Sequence, residues 1–300
     1  MTNRNKAVIF LLIAVLTVAV IAGMIISNKK NRPEPEPVPS SSELPEGTDF
    51  EIRFFDVGKA DSALIRCEGH YMLIDGGDPD DSDIIYSYLK NHGIKYLDYI
   101  VCSHCHKDHA GGIPGALEYA DVGTVYAPLK EFDNKAFRNL IKALKKKDKE
   151  ITIPSSGDEI MLGSSKIKFI GPIDYSLGEE EHNNISIVLR IEYGETSFLF
   201  AGDAEKEEEA TLLKSGMELK STLLKVAHHG SYSSTTKPFL SEVDPLYAVI
   251  SVNHDEEITL PHKAIVKRLE DQCYGVYRTD EKGDIICMSD GKTLYFRFER

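Results

Sequence analysis

The chain has 300 residues, of which 42% are hydrophobic, and it carries a formal net charge of −13. This length and apolar content are sufficient for a sizeable buried core. The acidic balance excludes a long-range attraction of the whole chain for nucleic acid, because net negative charge repels a polyanion.

The first predicted element is an apolar segment, residues 7–27, that contains no charged side chain. At about 1.5 Å per residue, a helix of this length spans the roughly 30 Å core of a bilayer. We therefore predict a single transmembrane anchor within residues 1–30 and place the rest of the chain outside the cytoplasm. The alternative is a cleaved signal peptide, which would give a secreted protein.

A spacer and one large folded domain are predicted after the anchor. Residues 31–48 are rich in proline, serine and glutamate. Such a composition buries little apolar surface and favours a semi-extended linker. The domain that follows is predicted to occupy residues 49–300.

Within this domain, short apolar runs bounded by turn residues predict strands that alternate with helices. The predicted strands of the first half are 50–58, 62–69, 70–77 and 96–103, with a helix at 78–93. A second half is predicted to begin near residue 183, with strands at 185–194, 196–203, 221–230 and 245–253 and helices at 204–216 and 261–271. The pattern indicates an α/β fold in which two sheets pack together with helices outside, an αββα sandwich.

A basic run, KALKKKDKE, occupies residues 142–150. A local patch of this kind can attract a polyanion even when the whole chain is acidic. We interpret it as the solvated face of a helix.

The motif SHCHKDHAGG directly follows a predicted strand and suggests a metal site. In an extended segment, residues i and i+2 point the same way, so His104 and His106 can reach one ion. Asp108 and His109 lie past the bend and can reach a second ion. Imidazole and carboxylate ligands suit zinc, manganese or iron. By the same alternation, Cys105 points away and is expected to pack in the core.

Three other predicted strands also end on polar residues. Asp75 follows one strand in LIDGG, Asp203 follows another in FLFAGD, and His228 and His229 follow a third in LLKVAHHGS. Each could singly be a capping aspartate or a hydrogen-bonded core histidine. Together with the first motif they predict one shared site, in which Asp203 bridges two cations and His229 completes the second.

These motifs, with FFDVGKADSALI near the start of the domain, resemble the metallo-β-lactamase superfamily and its ComEC-like branch. That branch includes the hydrolase domain of DNA-uptake competence proteins. The resemblance covers residues from about 50 to 290 and implies the metallo-β-lactamase fold with two divalent metal ions, zinc or manganese, between the sheets. The implied ligands are His104, His106, Asp108, His109, Asp203 and His229. Asp75 resembles an aspartate that orients the ligand loop.

The sequence departs from the superfamily pattern at several points. The turn that usually supplies a third histidine to the first metal reads EEHNNIS, so either His182 takes that place or Asn183 or Asn184 stands there. The usual DVGQGD reads DVGKAD, which loses a turn glycine at Ala60. Only Pro261 and His262 remain of a Y-G-H-P-H-like stretch, so His262 is a possible substrate contact.

The predicted chemistry is hydrolysis, because paired cations generate hydroxide from water and stabilise developing negative charge. Asp108 or Asp203 is predicted to orient the nucleophile, and Lys225 and His228 are further catalytic candidates. Cation and hydroxyl donors beside His229 suit phosphate oxygens. The possible substrate-binding hydroxyls are those of Ser231, Ser233 and Ser234, although ordinary loop polarity would also account for them.

We therefore predict a membrane-anchored, extracytoplasmic phosphodiesterase or nuclease that acts on DNA. Hydrolysis of another phosphoester, such as a cell-wall phosphodiester, is an alternative. A non-catalytic module that binds DNA is a second alternative, and β-lactam hydrolysis is a third.

Overall fold

The computed structural model describes residues 48–253 and 260–300. They form two mixed β-sheets packed face to face, with helices covering both outer sides. The predicted α/β class and αββα sandwich are confirmed. No helix within the described ranges is long and apolar enough to cross a bilayer, and the predicted anchor at residues 7–27 lies outside them.

Fifteen strands are present in the described part of the chain: β1 (Phe50–Phe54), β2 (Ala63–Cys67), β3 (His70–Ile74), β4 (Tyr96–Val101), β5 (Asp121–Tyr126), β6 (Ile151–Thr152), β7 (Glu159–Leu162), β8 (Ser165–Gly171), β9 (Val188–Tyr193), β10 (Thr196–Phe200), β11 (Leu223–Lys225), β12 (Tyr247–Ile250), β13 (Gly275–Arg278), β14 (Ile285–Ser289) and β15 (Leu294–Phe298). The helices are α1 (Ser82–Asn91), α2 (Lys107–Ala110), α3 (Ile113–Tyr119), α4 (Lys135–Lys146), α5 (Lys206–Ser215), α6 (Lys237–Val243), α7 (Lys263–Gln272) and α8 (Thr279–Lys282).

The first sheet has the order β15-β14-β1-β2-β3-β4-β5-β6, and the second has the order β13-β12-β11-β10-β9-β8-β7. Strands β3 to β6 are parallel, as are β10 to β13. Because parallel strands share one direction, their carboxyl ends meet at one edge, where α/β proteins commonly bind ligands.

Alternation along the strands builds three apolar layers. Between the sheets, Phe50 stacks on Phe198 with ring centroids 4.9 Å apart, and Phe54 stacks on Phe200 at 5.7 Å. Leu199, which lies between Phe198 and Phe200 in the sequence, faces the helices outside the second sheet. Burial of large aliphatic and aromatic side chains, each stabilising by roughly 1.5–3 kcal/mol, therefore fixes the sandwich.

The division of the sheets differs from the predicted second half beginning near residue 183. Strands β7 and β8 already belong to the second sheet, through antiparallel pairing of β8 with β9. The C-terminal hairpin β14–β15 returns to the first sheet, where β14 pairs with β1. Without it, β1 would expose an unpaired edge. Apolar alternation predicts a strand but carries no information about its distant hydrogen-bonding partner.

Candidate metal centre

The carboxyl ends of β4, β10 and β11 bring four ligand-type side chains together. His104 and His109 lie in the loop and short helix after β4, Asp203 follows β10, and His229 lies in the 3-10 turn Ala227–Gly230 after β11. All four are buried. A buried polar cluster of this kind requires compensating partners, because an unpaired buried polar group is costly.

Three imidazoles converge on one carboxylate oxygen. The distance from Asp203 Oδ2 is 3.3 Å to His109 Nε2, 3.8 Å to His104 Nε2 and 3.8 Å to His229 Nε2. None of these Nε2 atoms has a hydrogen-bond partner, and neither does Asp203 Oδ1. Two ligands about 2.0–2.1 Å from one tetrahedral ion lie about 3.3–3.5 Å apart, so this spacing fits ligands that share a cation.

The partners of the other ring nitrogens leave those Nε2 atoms free to ligate. His109 Nδ1 donates to Asp75 Oδ2 at 2.9 Å, and His229 Nδ1 donates to the Ser251 carbonyl at 3.0 Å. His104 Nδ1 lies 3.2 Å from Ser103 Oγ. With a proton held on each Nδ1, each neutral ring would present its Nε2 lone pair to a cation, as histidine ligands of metals do.

The remaining predicted ligands border this cluster. Asp108 Oδ2 lies 3.6 Å from His229 Nε2, and Asp108, His109 and His229 form a second compact ligand group. The half-buried His106 ring lies 4.7 Å from the His104 ring. All six predicted ligands are therefore neighbours, although His106 stands outside the compact groups found in the described residues.

Burial and charge set the protonation of the centre. Burial holds the pKa of His104 well below its usual value, so this imidazole is neutral. Burial alone would raise the pKa of Asp203, but His109, His229 and His104 outweigh it and hold that pKa well below its ordinary range. Burial alone would lower the pKa values of His109 and His229, but the Asp203 carboxylate outweighs it and raises both. Because deprotonated carboxylate and neutral imidazole are the forms that bind a cation, His109 and His229 would give up a proton when a cation binds.

The Asp75 carboxylate accepts hydrogen bonds from the loop that carries the candidate ligands. Its Oδ1 accepts from the Ser103 backbone N–H at 2.7 Å, and its Oδ2 accepts from Ser103 Oγ at 2.7 Å as well as from His109. Asp75 thus contacts the loop that carries His104 and His109 through Ser103 and His109. The glycines of the motif allow this packing: a Cβ on Gly112 would lie 1.9 Å from the Gly76 carbonyl oxygen. Cys105 is buried in the apolar layer, as predicted.

Lys225 lies between the sheets and not on the open side of the centre. Its side chain is 4% exposed, and Nζ donates to Asp61 Oδ2 at 2.7 Å. Asp61 Oδ1 in turn lies 3.6 Å from His229 Nδ1. In this structure Lys225 therefore holds Asp61 instead of facing a substrate. Asp61 had no role in the sequence interpretation, although DVGKAD was a usable signal.

His228 stands at the partly exposed side of the cluster. Its Nε2 lies 3.9 Å from Asp203 Oδ2, and its Nδ1 lies 3.1 Å from Glu205 Oε1. Its backbone is left-handed, with φ of 49°, a conformation that non-glycine residues adopt at a cost. Glu205 was not predicted as a site residue, although it stands two residues after Asp203 in the sequence.

The predicted substrate hydroxyls divide into two sets. Ser231 and Ser233 are half-buried and 3.0 Å apart at Oγ, and Ser233 Oγ donates to Glu205 at 2.8 Å. Ser234 is fully buried, so it does not face the open side. His262 Nδ1 accepts from the Ala264 N–H at 3.3 Å and caps helix α7.

Three residues were candidates for the missing third histidine. The His182 ring lies 6.3 Å from the His106 ring. Asn184 Oδ1 accepts from the Glu205 and Glu208 backbone N–H groups and so caps helix α5. Asn183 Oδ1 is buried without a hydrogen-bond partner. The structure thus brings His182 near the centre and assigns Asn184 to the helix.

Comparison with known proteins identifies related sequences. The family model described as "Metallo-beta-lactamase superfamily" matches residues 55–254. The chain is 26% identical over 253 residues to "ComE operon protein 3" of Bacillus subtilis (strain 168), covering 78% of this chain and 32% of that protein. It is 30% identical over 234 residues to "Competence protein ComA" of Neisseria gonorrhoeae, covering 77% and 31%. The predicted resemblance to the ComEC-like branch is confirmed, and the chain spans about a third of the length of these relatives.

Solved structures show the same fold. The crystal structure of CmlA, a diiron β-hydroxylase from Streptomyces venezuelae, superposes with a TM-score of 0.51 at 14% identity. The match covers 81% of this chain and 53% of that one. At this identity the likeness concerns the fold alone.

Proposed function

This chain belongs to the metallo-beta-lactamase superfamily, and from that premise we propose that it is a membrane-anchored dinuclear phosphodiesterase that cleaves DNA outside the cytoplasm. The observation that carries the proposal is the convergence of three unpartnered Nε2 atoms on Asp203. Zinc and manganese both suit this donor set. The DNA substrate is what the resemblance to the ComEC-like branch implies, and a relative named "Competence protein ComA" supports it.

The residues at the centre divide the work. Asp203 would be shared by the two cations, one held with His104 and His106 and the other with Asp108, His109 and His229. Each histidine then serves a single ion, because each ring offers one free nitrogen. Bound divalent ions supply a nucleophile from water near neutral pH and stabilise negative charge on phosphorus oxygens. Asp108 is more exposed than Asp203 and can orient the attacking water.

His228 is the group best placed to contact the substrate. Glu205 fixes its Nδ1 at 3.1 Å, and Ser233 Oγ lies 3.3 Å from the same nitrogen. When both ring nitrogens carry a proton, Nδ1 donates to Glu205 and Nε2, on the side of Asp203, can donate to a phosphate oxygen. The carboxylate holds the ring orientation, so that less side-chain freedom is lost when the substrate binds.

The test uses the full chain, purified in detergent and supplied with zinc or manganese. Bis-p-nitrophenyl phosphate, single-stranded DNA and nitrocefin are assayed with and without EDTA, beside His106→Ala. We expect EDTA-sensitive hydrolysis of the two phosphodiesters, abolished by His106→Ala and retained by the control His70→Ala, whose ring is 53% exposed and pairs with Asp98. Full activity of His106→Ala would disprove the proposal. DNA binding without turnover would favour the non-catalytic alternative.

The membrane and cell-wall alternatives are tested separately. Residues 7–27 carry no charge over a length that spans a bilayer, so we expect the chain to remain in the membrane fraction at high salt and to be digested by protease added outside the cytoplasm. Recovery in the culture medium would support signal cleavage. Hydrolysis of a teichoic acid in preference to DNA would support the cell-wall substrate.

A further inference from the structure

A basic helix begins directly at the metal-binding loop. Helix α4 is preceded by Asn134, whose Oδ1 accepts from the Phe137 N–H at 2.7 Å. The same side chain donates through Nδ2 to the Cys105 carbonyl, also at 2.7 Å. One residue thus caps the helix and fastens its first turn to the backbone inside the ligand motif.

An open groove of about 500 Å³ lies along this helix. We call it the α4 groove, and its principal lining residues are Phe132, Arg138, Ile141, Lys142 and Lys145. Phe132 connects it to the metal centre, because its ring lies 4.7 Å from the His182 ring and 6.1 Å from the His106 ring. An extended ligand lying in the groove would therefore reach the candidate metal ligands at one end.

The groove is locally basic in an acidic chain. Helix α4 contains basic residues and no acidic one, whereas the whole chain has a net charge of −13. Arg138 is paired with Asp133, and a second carboxylate, Glu131, also lines the groove. Lys142 and Lys145 are exposed and have no ion pair within the described ranges. Their spacing from Arg138, i+4 and i+7, places all three on one helix face.

We propose that the α4 groove binds single-stranded DNA and leads it to the metal centre, with Lys142 and Lys145 on phosphates and Phe132 stacking on a base. This inference rests on the proposed function, which supplies a reason for a strand to approach the centre. A cationic groove with an aromatic side chain is the combination that recognises unpaired strands of any sequence. A duplex would keep its bases paired and unavailable to Phe132.

The first experiment measures binding in EDTA, so that it does not depend on catalysis. A labelled oligodeoxythymidylate is titrated with the full chain in detergent at several salt concentrations. The variant is Lys142→Gln/Lys145→Gln, and the matched control is Lys95→Gln/Lys214→Gln, which removes the same charge at two exposed lysines outside the groove. We expect the salt slope of the variant to fall by about 1.4 and its affinity at 50 mM salt to fall about tenfold per lost contact. The control should match the wild type.

The second experiment separates stacking from apolar packing. Phe132→Leu should weaken binding of the single strand by roughly 5- to 100-fold, and Phe132→Tyr should retain it. An unchanged salt slope in the lysine variant, equal affinity for duplex and single strand, or wild-type binding by Phe132→Leu would each overturn the proposal. The proposal would also be overturned if binding to phosphatidylglycerol vesicles required the two lysines and binding of the oligonucleotide did not. If binding behaves as expected but no phosphodiester is cleaved, the groove stands and the proposed catalytic function falls.

Discussion

Replacing Asp75 with asparagine should weaken metal binding without unfolding the protein. Asp75 receives three hydrogen bonds on two oxygens, from Ser103 N and Oγ at 2.7 Å each and from His109 Nδ1 at 2.9 Å. Asparagine offers a single acceptor oxygen and an NH₂ group. It also tolerates the left-handed backbone at this position, where φ is 56°. The backbone conformation at residue 75 should therefore be retained, while one of the hydrogen bonds from Ser103 or His109 loses its acceptor.

The expected loss follows from the tautomer of His109. If the new NH₂ group faces Nδ1, that nitrogen must accept, and the proton moves to Nε2, where it blocks ligation. If the group faces Ser103 instead, two donors confront each other. Loss of such a supporting partner typically lowers metal affinity 10- to 100-fold, which corresponds to about 1.4–2.7 kcal/mol.

The assay is competition of the full chain against a chromophoric chelator, with unfolding of the metal-free protein followed by circular dichroism. Asp98 provides a matched control, because it binds His70 Nδ1 and the Tyr71 N–H at 2.9 Å each, outside the metal centre. Asp98→Asn should leave metal affinity unchanged. Wild-type affinity in a folded Asp75→Asn protein, or an equal loss in Asp98→Asn, would refute the reasoning.

Three further predictions concern stability. Burial raises the pKa of Glu208 to about 7, so the folded state loses stability as the pH rises from about 4.5 through about 7. In urea titrations, the free energy of unfolding of Glu208→Gln should exceed that of the wild type by roughly 2–3 kcal/mol at pH 8 and should match it near pH 4. Lys225→Met removes the buried cation that pairs with Asp61 and should lower the free energy of unfolding by about 3–5 kcal/mol in the same assay. Part of this loss should be recovered in Lys225→Met/Asp61→Asn, and unchanged stability of the single variant would contradict the prediction. Metal at 1,000 times its Kd should stabilise the folded chain by about 4 kcal/mol and raise its Tm by several degrees, and EDTA should reverse this shift. A Tm that changes with neither metal nor EDTA would count against the metal centre.

The sequence by itself determined most of the strands and most of the candidate ligands. Alternation in FEIRF and TSFLF specifies which side chains enter the layer between the sheets, because a strand has a period of two residues. The motif HCHKDH holds its histidines and aspartate within one local turn, so their proximity needs no distant contact. Asp203 and His229 could be added because both follow buried strands whose carboxyl ends share an edge.

Only the tertiary structure decided the partners. Lys225 and Asp61 are 164 residues apart in sequence yet form a buried ion pair, and Glu205 reaches His228 from another strand end. The return of β14 to pair with β1 could not be predicted either. The same holds for the groove along the basic helix, in which the Phe132 ring lies 6.1 Å from the His106 ring. Side-chain type and periodicity determine which face of an element is buried, whereas hydrogen bonds and ion pairs between distant segments depend on how the layers pack.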